Sequence, residues 1–413
     1  MLFTLNLLLL IAAAAVCVPL LIFCLEVLLS LFPRRQQPEV SGSLKSQISN
    51  LRSSSLAVLI PAHNESSVLG RTLQILMPTL PTDSRVIVVA DNCTDATAEI
   101  ARQHGAEAIE RMSEQQRGKG FALQFGLAYL AQNPPAAVVF LDADCQVAED
   151  AVRLLGQTAL ATGRPVQGLN LCDPDPAGGP LQAVSALAFR FKNLVRMTGL
   201  SRLAGLCHLT GTGMAMPWNL LGKTKLDGNV VEDMQWGIDL ALAGHLTLFL
   251  PEARVNSPLP QTQKAASTQR TRWEHGHLST LLAQVPKLLL LAARHRRWNL
   301  FCLALDLAIP PLSLLVATYL ALLVITTVAS LATLQLVPAM LLLAVSPLFI
   351  LAIVAGWIVH CRRIIPLGTL LVAPLYILRK LPIYGSFVWK RQQTWVRTER
   401  NLTSPSPLGR GSG

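Results

Sequence analysis

Val138-Val139-Phe140-Leu141-Asp142-Ala143-Asp144 is an apolar run that stops on two carboxylates. Four consecutive apolar residues without alternation read as a strand covered on both faces, the kind found inside parallel α/β sheets. Two earlier stretches repeat the pattern. Residues 56–60 run apolar into Pro61-Ala62-His63-Asn64-Glu65, and residues 85–90 run into Asp91-Asn92-Cys93-Thr94-Asp95. Helical segments follow both, ending near Leu76 and His104, and another follows the basic loop Arg117-Gly118-Lys119-Gly120 to about Ala131. Strand alternating with helix predicts a parallel α/β sheet over residues 56–250, with ligands bound beyond the carboxyl ends of its strands. Asp91, Asp142 and Asp144 stand at such ends.

The side chains at those ends suit a charged ligand. Asp142 and Asp144, two residues apart on extended backbone, would point to one side and could hold a hard divalent cation. A polar loop in which Asp favours a turn is the competing reading. Asp91 would be free to accept from a base N–H while Asp95 or Thr94 caps the next helix. Lys119 could neutralise phosphate, but the remaining glycine and hydroxyl of a P-loop are missing, and no Gly-x-Gly-x-x-Gly follows the first strand. A dinucleotide enzyme is therefore a poor fit. Thr210-Gly211-Thr212-Gly213 would let backbone approach a ligand or simply form a tight loop. Glu232-Asp233 opens a helix ending at Gly244, where the two acids either complement the helix dipole or supply a general base. Gln269, Arg272 and Trp273 share one face if helical, so they could converge on a ligand or anchor the chain at a membrane interface. His275 and His277 lack the spacing of the zinc motif His-Glu-x-x-His.

The chain has 413 residues, of which 51% are hydrophobic, with a mean hydropathy of +0.43. That accommodates one sizeable domain plus membrane segments. The net charge of +11 would suit a nucleic-acid partner if it were spread over a groove, but it is concentrated beside apolar runs. Residues 34–52 carry +3, residues 287–297 carry +4, Arg362-Arg363 carry +2 and residues 379–410 carry +6, leaving −4 for the rest. Such clusters read as cytoplasmic anchors, not as a nucleic-acid surface. The eight cysteines include no Cys-x-x-Cys and read as reduced. Sequons at Asn64 and Asn92 fall in the expected ligand crevice, where a glycan would block binding.

Residues 1–32 form a membrane helix with Glu26 as its sole charge, followed by a linker over 33–55 and the α/β domain over 56–280. Residues 281–298 read as an interfacial helix with a basic end, and 299–360 as a transmembrane hairpin whose first arm is interrupted by Asp306 and Pro310-Pro311. Residues 361–413 read as an interfacial or re-entrant segment, centred on 364–378 and broken by Pro366, Gly368 and Pro374, plus a basic cytosolic tail.

Taken together and in order, Pro61 to Glu65, Asp91, Lys119-Gly120, Asp142-Ala143-Asp144, Thr210 to Gly213, Glu232-Asp233 and Gln269-Arg270-Thr271-Arg272-Trp273 resemble the membrane-integrated family 2 glycosyltransferases. That group includes cellulose, chitin and hyaluronan synthases and ceramide glucosyltransferases. The resemblance covers residues 56–280 and implies a GT-A fold, an inverting mechanism, and a nucleotide-sugar donor, most often a UDP-hexose, with Mg²⁺ or Mn²⁺. It implies donor contacts at Pro61, His63, Glu65, Asp91, Lys119, Asp142, Asp144, Gln269 and Arg272, with Asp142 and Asp144 on the metal. It places Gly211, Thr212, Gly213 and Trp273 at the acceptor, Asp233 beside Glu232 as general base, and Arg272 on the departing diphosphate. One departure is that Asp91 lies between Ala90 and Asn92, where many relatives have paired acids.

The resemblance implies transfer to a lipid-linked or polysaccharide acceptor in glycolipid or polysaccharide biosynthesis, from a cytosolic domain on a bacterial inner membrane. Membrane lipids are further partners, as are export or assembly proteins if the product is a polymer. Processive synthesis is the alternative, though three clear spans offer little wall for a polymer channel. A non-catalytic scaffold would not need the full carboxylate set, and transport would need more charge within the membrane. Reporter fusions at Ser54 and Leu331 are expected to report opposite sides of the membrane, and equal sidedness would sink the hairpin arrangement.

Overall fold

A computed structural model describes residues 2–33, 55–174, 178–222, 232–259 and 263–389. Nearly all of the expected linker and the basic tail from 390 lie outside these. An eight-stranded sheet with order β3-β2-β1-β4-β7-β6-β8-β5 forms the centre. Its strands are β1 (Leu56–Ala62), β2 (Arg85–Asp91), β3 (Glu107–Arg111), β4 (Ala137–Phe140), β5 (Gln146–Val147), β6 (Val166–Leu171), β7 (Met214–Pro217) and β8 (Leu248–Asn256). The first four are parallel, as expected. The other half corrects the all-parallel expectation, because β7 runs antiparallel to both β4 and β6, and β5 antiparallel to β8.

Alternate residues of the central strands enter two separate cores, as the two-residue period of a strand requires. Val58, Ile60, Val86, Val88 and Val139 face one side with Leu69 and Leu73 of α2 (Ser66–Leu76) and Leu155 of α5 (Ala151–Thr162). Ala57, Leu59, Ile87, Val89, Val138 and Phe140 face the other, packed on Leu123 and Leu130 of α4 (Lys119–Leu130) and Trp236 of α8 (Glu232–Leu242). A short helix, α3 (Thr97–Gln103), joins β2 to β3.

After β6 the chain forms α6 (Gly179–Arg190), a six-residue π-helix over Phe191–Arg196, and α7 (Met197–Ala204). A long helix, α9 (Gln263–His295), follows β8, then α10 (Trp298–Leu307), α11 (Leu312–Thr333), α12 (Val337–His360) and α13 (Gly368–Trp389). Together with α1 (Leu2–Leu31), the helices α9, α11, α12 and α13 are each long and apolar enough to cross a membrane. Two boundaries differ from the sequence reading. The interfacial helix expected at 281 is continuous with the Gln269–Trp273 motif in α9, and the short segment expected at 364–378 enters, from Gly368 on, a helix of 22 residues that runs on to Trp389. Pro310-Pro311 does interrupt the first arm of the hairpin, between α10 and α11.

The helices and the sheet domain are joined by buried charge. Arg196 in the π-helix donates through Nε to Glu26 of α1 at 3.1 Å and through Nη2 to Asp306 of α10 at 2.8 Å, and Asp306 also bonds His208 at 2.6 Å. The lone charge of the first apolar run is thus an ion-pair partner. Close beside it, Gly199 of α7 packs so tightly on α1 that a Cβ would lie 2.2 Å from the Glu26 carbonyl oxygen.

Candidate active site

The carboxyl ends of β1, β2 and β4 lie side by side and bring the first group of residues together. His63 bonds through Nδ1 to the Asp91 carbonyl at 2.6 Å, and Asn64 accepts from the Thr94 N–H at 2.7 Å, so the loops after β1 and β2 hold each other. The Asp91 carboxylate is almost fully buried and accepts through Oδ1 from Arg111 at 2.6 Å and from the Asn92 amide at 3.1 Å. It therefore differs from the free acceptor expected from the sequence. Arg111 lies at the end of neighbouring β3, twenty residues on, and also holds the Gln116 carbonyl at 2.8 Å.

Asp142 and Asp144 follow β4 in a turn, closed by the Cys145 N–H on the Asp142 carbonyl at 3.3 Å, and not on the extended backbone first expected. The turn still gathers them, since ligand atoms of Asp142, Asp144 and Cys145 lie within 4.8 Å of one another. Cys145 is not a suitable third ligand. Burial, with the nearby Asp142 and Asp144, pushes its thiol up to about 12, and its sulfur is engaged with Thr212 at 3.2 Å and Ser257 at 3.3 Å. What is left is a pair of carboxylates, an oxygen donor set that suits a hard cation.

Lys119 opens α4 and places its ammonium on the Asp142 carboxylate and 2.8 Å from the Gly211 carbonyl. Burial opposes its charge, yet Asp142 and then Glu232 hold its pKa above the ordinary lysine value. Gly211, at φ +83°, fits where a Cβ would meet the Asp233 carboxylate at 3.1 Å and Lys119 Nζ at 3.3 Å. Thus Lys119, Asp142, Gly211 and Asp233 surround one small volume. Thr212 and Gly213, expected at the acceptor, stand behind it: the Thr212 hydroxyl accepts from the Asp142 N–H at 3.0 Å, and the Gly213 carbonyl accepts from the Gly168 N–H at 2.8 Å. Their loop is pinned by buried Gln167, which receives the Thr210 N–H at 2.8 Å and donates to the Thr212 carbonyl at 2.9 Å.

Glu232 and Asp233 begin α8, and both face the same cavity. Burial first, and the Asp233 charge next, push the Glu232 carboxyl up to about 7, with Lys119 opposing. From α9, Gln269, Arg270, Arg272 and Trp273 also line the cavity. Buried Arg272 Nε has no hydrogen-bond partner among the described residues, and Trp273 packs on Phe189 of α6 with ring centroids 5.8 Å apart. This argues against a purely interfacial role for that pair, because both side chains face inward.

The cavity, about 720 Å³, also takes in Pro61, His63, Glu65, Asp91, Asp142 and Asp144 at the sheet edge. It continues past Phe189, Lys192 and Asn193 to Phe23 of α1, Pro311 and Leu312 at the start of α11, and Tyr376 and Lys380 of α13. Sequence reading missed this second half. Lys192 and Asn193 sit in an unmarked stretch, and only the buried-charge pattern of Glu26 and Asp306 hinted that membrane helices help to form the site.

Residues 54–276 match the family model described as glycosyltransferase like family 2. Over 130 residues the chain is 34% identical to 4,4'-diaponeurosporenoate glycosyltransferase of Staphylococcus aureus strain bovine RF122 / ET3-1, and 33% identical to that of strain USA300. Each match covers 30% of this chain and 32% of the relative, so the chain matches about a third of the length of those relatives. Among solved structures, mannosyltransferase PcManGT from Pyrobaculum calidifontis, in complex with GDP-Man and Mn2+, superposes with a TM-score of 0.53 at 18% identity, covering 95% of this chain and 100% of that one. That likeness establishes a shared fold.

A pH test follows from Glu232. Between about 4.5 and 7 the unfolded chain has lost this proton while the folded protein keeps it, so the contribution of Glu232 to stability falls as pH rises through that window. Glu232→Gln is expected to raise the thermal midpoint relative to the parent at pH 8 and to make little difference at pH 5. Equal differences at both values would contradict the shifted carboxyl.

Proposed function

Because this chain belongs to glycosyltransferase-like family 2, we propose that it transfers a sugar from a nucleotide sugar to an amphiphilic lipid acceptor at the membrane face. The enzyme has a GT-A fold joined to apolar helices. The observation that carries the reading is the continuity of one cavity. Its polar end holds Asp142, Asp144 and Asp233, and its far end is bounded by Phe23, Pro311 and Leu312 of membrane-length helices. Apolar walls favour a lipid acceptor over a growing glycan, so single-sugar transfer is the better-supported product class.

In this reading Pro61, His63, Glu65 and Asp91 bound the nucleoside end, and Gln269 and Arg272 meet the diphosphate. Asp142 and Asp144 would hold Mg²⁺ or Mn²⁺, which supplies charge neutralisation at the diphosphate. The acceptor oxygen forms its bond to the anomeric carbon as the bond from that carbon to the diphosphate oxygen breaks. The proton passes to the Asp233 carboxylate and the nucleotide diphosphate leaves with the electron pair. Arg272 supports this step because its unpartnered Nε faces a site where negative charge develops. Trp273 provides a flat apolar face for the acceptor.

The domain is read as cytosolic on a bacterial inner membrane, with α1 running from outside to inside and α11 and α12 as the hairpin. Helix α13 is read as lying along the inner face. Lys380 in its middle is ion-paired with Glu274 of α9, and the helix packs on α6, which suits a helix seated against the catalytic domain.

Full-length protein should release nucleotide from UDP-glucose or GDP-mannose in the presence of Mn²⁺ and a lipid acceptor, and EDTA should abolish it. Asp233→Asn should lower transfer by about 10²- to 10⁴-fold while donor affinity changes little. Undiminished rates in EDTA would remove the metal role. Nucleotide release from no donor and acceptor pair would overturn the enzyme reading, and an active Asp233→Asn alongside an inactive Glu232→Gln would move the base to Glu232.

A further inference from the structure

Lys192 is a cation that the reaction just described does not use. It lies in the π-helix between buried Phe191 and Asn193, and its own side chain is exposed to the cavity. Among the described residues no hydrogen bond or ion pair reaches its ammonium. The carboxylates whose fields it feels are, in order, Asp233, Glu274 and Asp306. Two of them are already engaged: Glu274 by Lys380 and the Tyr384 hydroxyl, and Asp306 by Arg196 and His208. The protein enclosing the cavity replaces water around Lys192 and lowers its pKa below the ordinary lysine value, as expected for an ammonium without a bonded anion. Several other cations at the cavity are engaged, and Arg272 is the one the transfer step already uses. Lys119 rests on Asp142, Arg196 on Glu26 and Asp306, and Arg270 lies over the Tyr376 ring with 5.6 Å to its centroid.

Position indicates what Lys192 meets. Its neighbours in the chain place it: Phe189 packs on Trp273 and Phe191 stacks on Phe23 of α1, so Lys192 belongs to the cavity wall that Trp273 shares with the membrane-length helices. Aromatic Phe189 and Trp273, and then Phe23 and Leu312, carry the cavity from there towards the membrane helices. Lys192 belongs to a π-helical turn, a rare helix geometry found frequently at functional sites.

On the lipid-transfer reading above, we propose that Lys192 binds an anionic group, carboxylate or phosphate, on the lipid acceptor. The acceptor is then an acidic amphiphile whose charged head sits on Lys192, whose reacting oxygen faces Asp233, and whose chain follows Phe23 and Leu312. A neutral alcohol of equal chain length would fill the apolar part and leave the ammonium without its partner.

The test uses full-length protein in lipid nanodiscs with radiolabelled oleate as the probe, and with oleate, dodecyl phosphate and oleyl alcohol as competitors. Oleate or dodecyl phosphate should compete more strongly than the alcohol, and the order of the two acids assigns carboxylate or phosphate as the preferred head. Lys192→Gln should weaken binding of the acids by about 10- to 100-fold, the range expected for losing one charge-assisted bond, with alcohol binding unchanged. Lys192→Arg should recover most of the affinity. Titration of UDP-glucose and GDP-mannose with Mn²⁺ on the same variants verifies that the donor end is folded. Equal competition by alcohol and acids, or Lys192→Gln binding the acids as the parent does, would overturn the proposal. Nucleotide release is read separately: its absence in the parent overturns the transfer reading even where acid binding depends on Lys192.

Discussion

Everything at the membrane end of this enzyme depends on Arg196. Its guanidinium binds Glu26 of α1 and Asp306 of α10 at once, through different nitrogens of its planar fork. Burying three charges is expensive, and losing any one would strand the others, so the cluster contributes position more than net stability. Around it Gly199 admits α1 to backbone contact, and Phe23 stacks on Phe191 with centroids 5.9 Å apart. These contacts set the wall that turns a sheet-edge crevice into a passage reaching the membrane helices.

The polar end of the passage is balanced before any donor arrives. Lys119 occupies the Asp142 carboxylate that a metal and diphosphate would claim, and its charge also lowers the penalty on Glu232. On the proposed reading, Asp142 and Asp144 would hold the cation in competition with that ammonium, and Lys119 would then be free to neutralise the diphosphate. Glu232, held up near pH 7 by burial and by Asp233, keeps a second full negative charge away from the proposed base at neutral pH and below.

The parallel half of the sheet was legible because its strands are covered on both faces, and nothing but unbroken apolar runs such as Val138 to Leu141 satisfies that environment. The antiparallel half was not. Strand β7 is only four residues ending in Pro217 and β5 only two, too short to stand out, and the parallel edge strand β3 was missed as well because it is charged, with Glu107 bound to Arg85. The carboxylates and the Gln269 to Trp273 group were visible because each motif is local in sequence. Asp91 was misread as free because its partner Arg111 is supplied by the strand pairing of β2 and β3, and Thr212 was placed on the ligand because nothing local shows that its hydroxyl holds the Asp142 N–H. Lys192 had no motif at all; its significance comes from the partners its neighbours have already taken.

The two ends of the cavity also explain why the motif-bearing helix α9 is long. Its first turns place Gln269, Arg272 and Trp273 on the cavity, the next residue Glu274 pairs with Lys380 of α13 farther along the same wall, and His277 bonds the Ile309 carbonyl at 3.1 Å. One helix therefore ties the Gln269 to Trp273 group to both α13 and the segment before α11. On the proposed reading, transfer requires water to be excluded between donor and acceptor, so the helices that would admit a lipid chain would also have to enclose its head. Fixing α9 to both sides through buried polar bonds suits that task, because it holds the wall nearest Arg272 and Trp273 in one position.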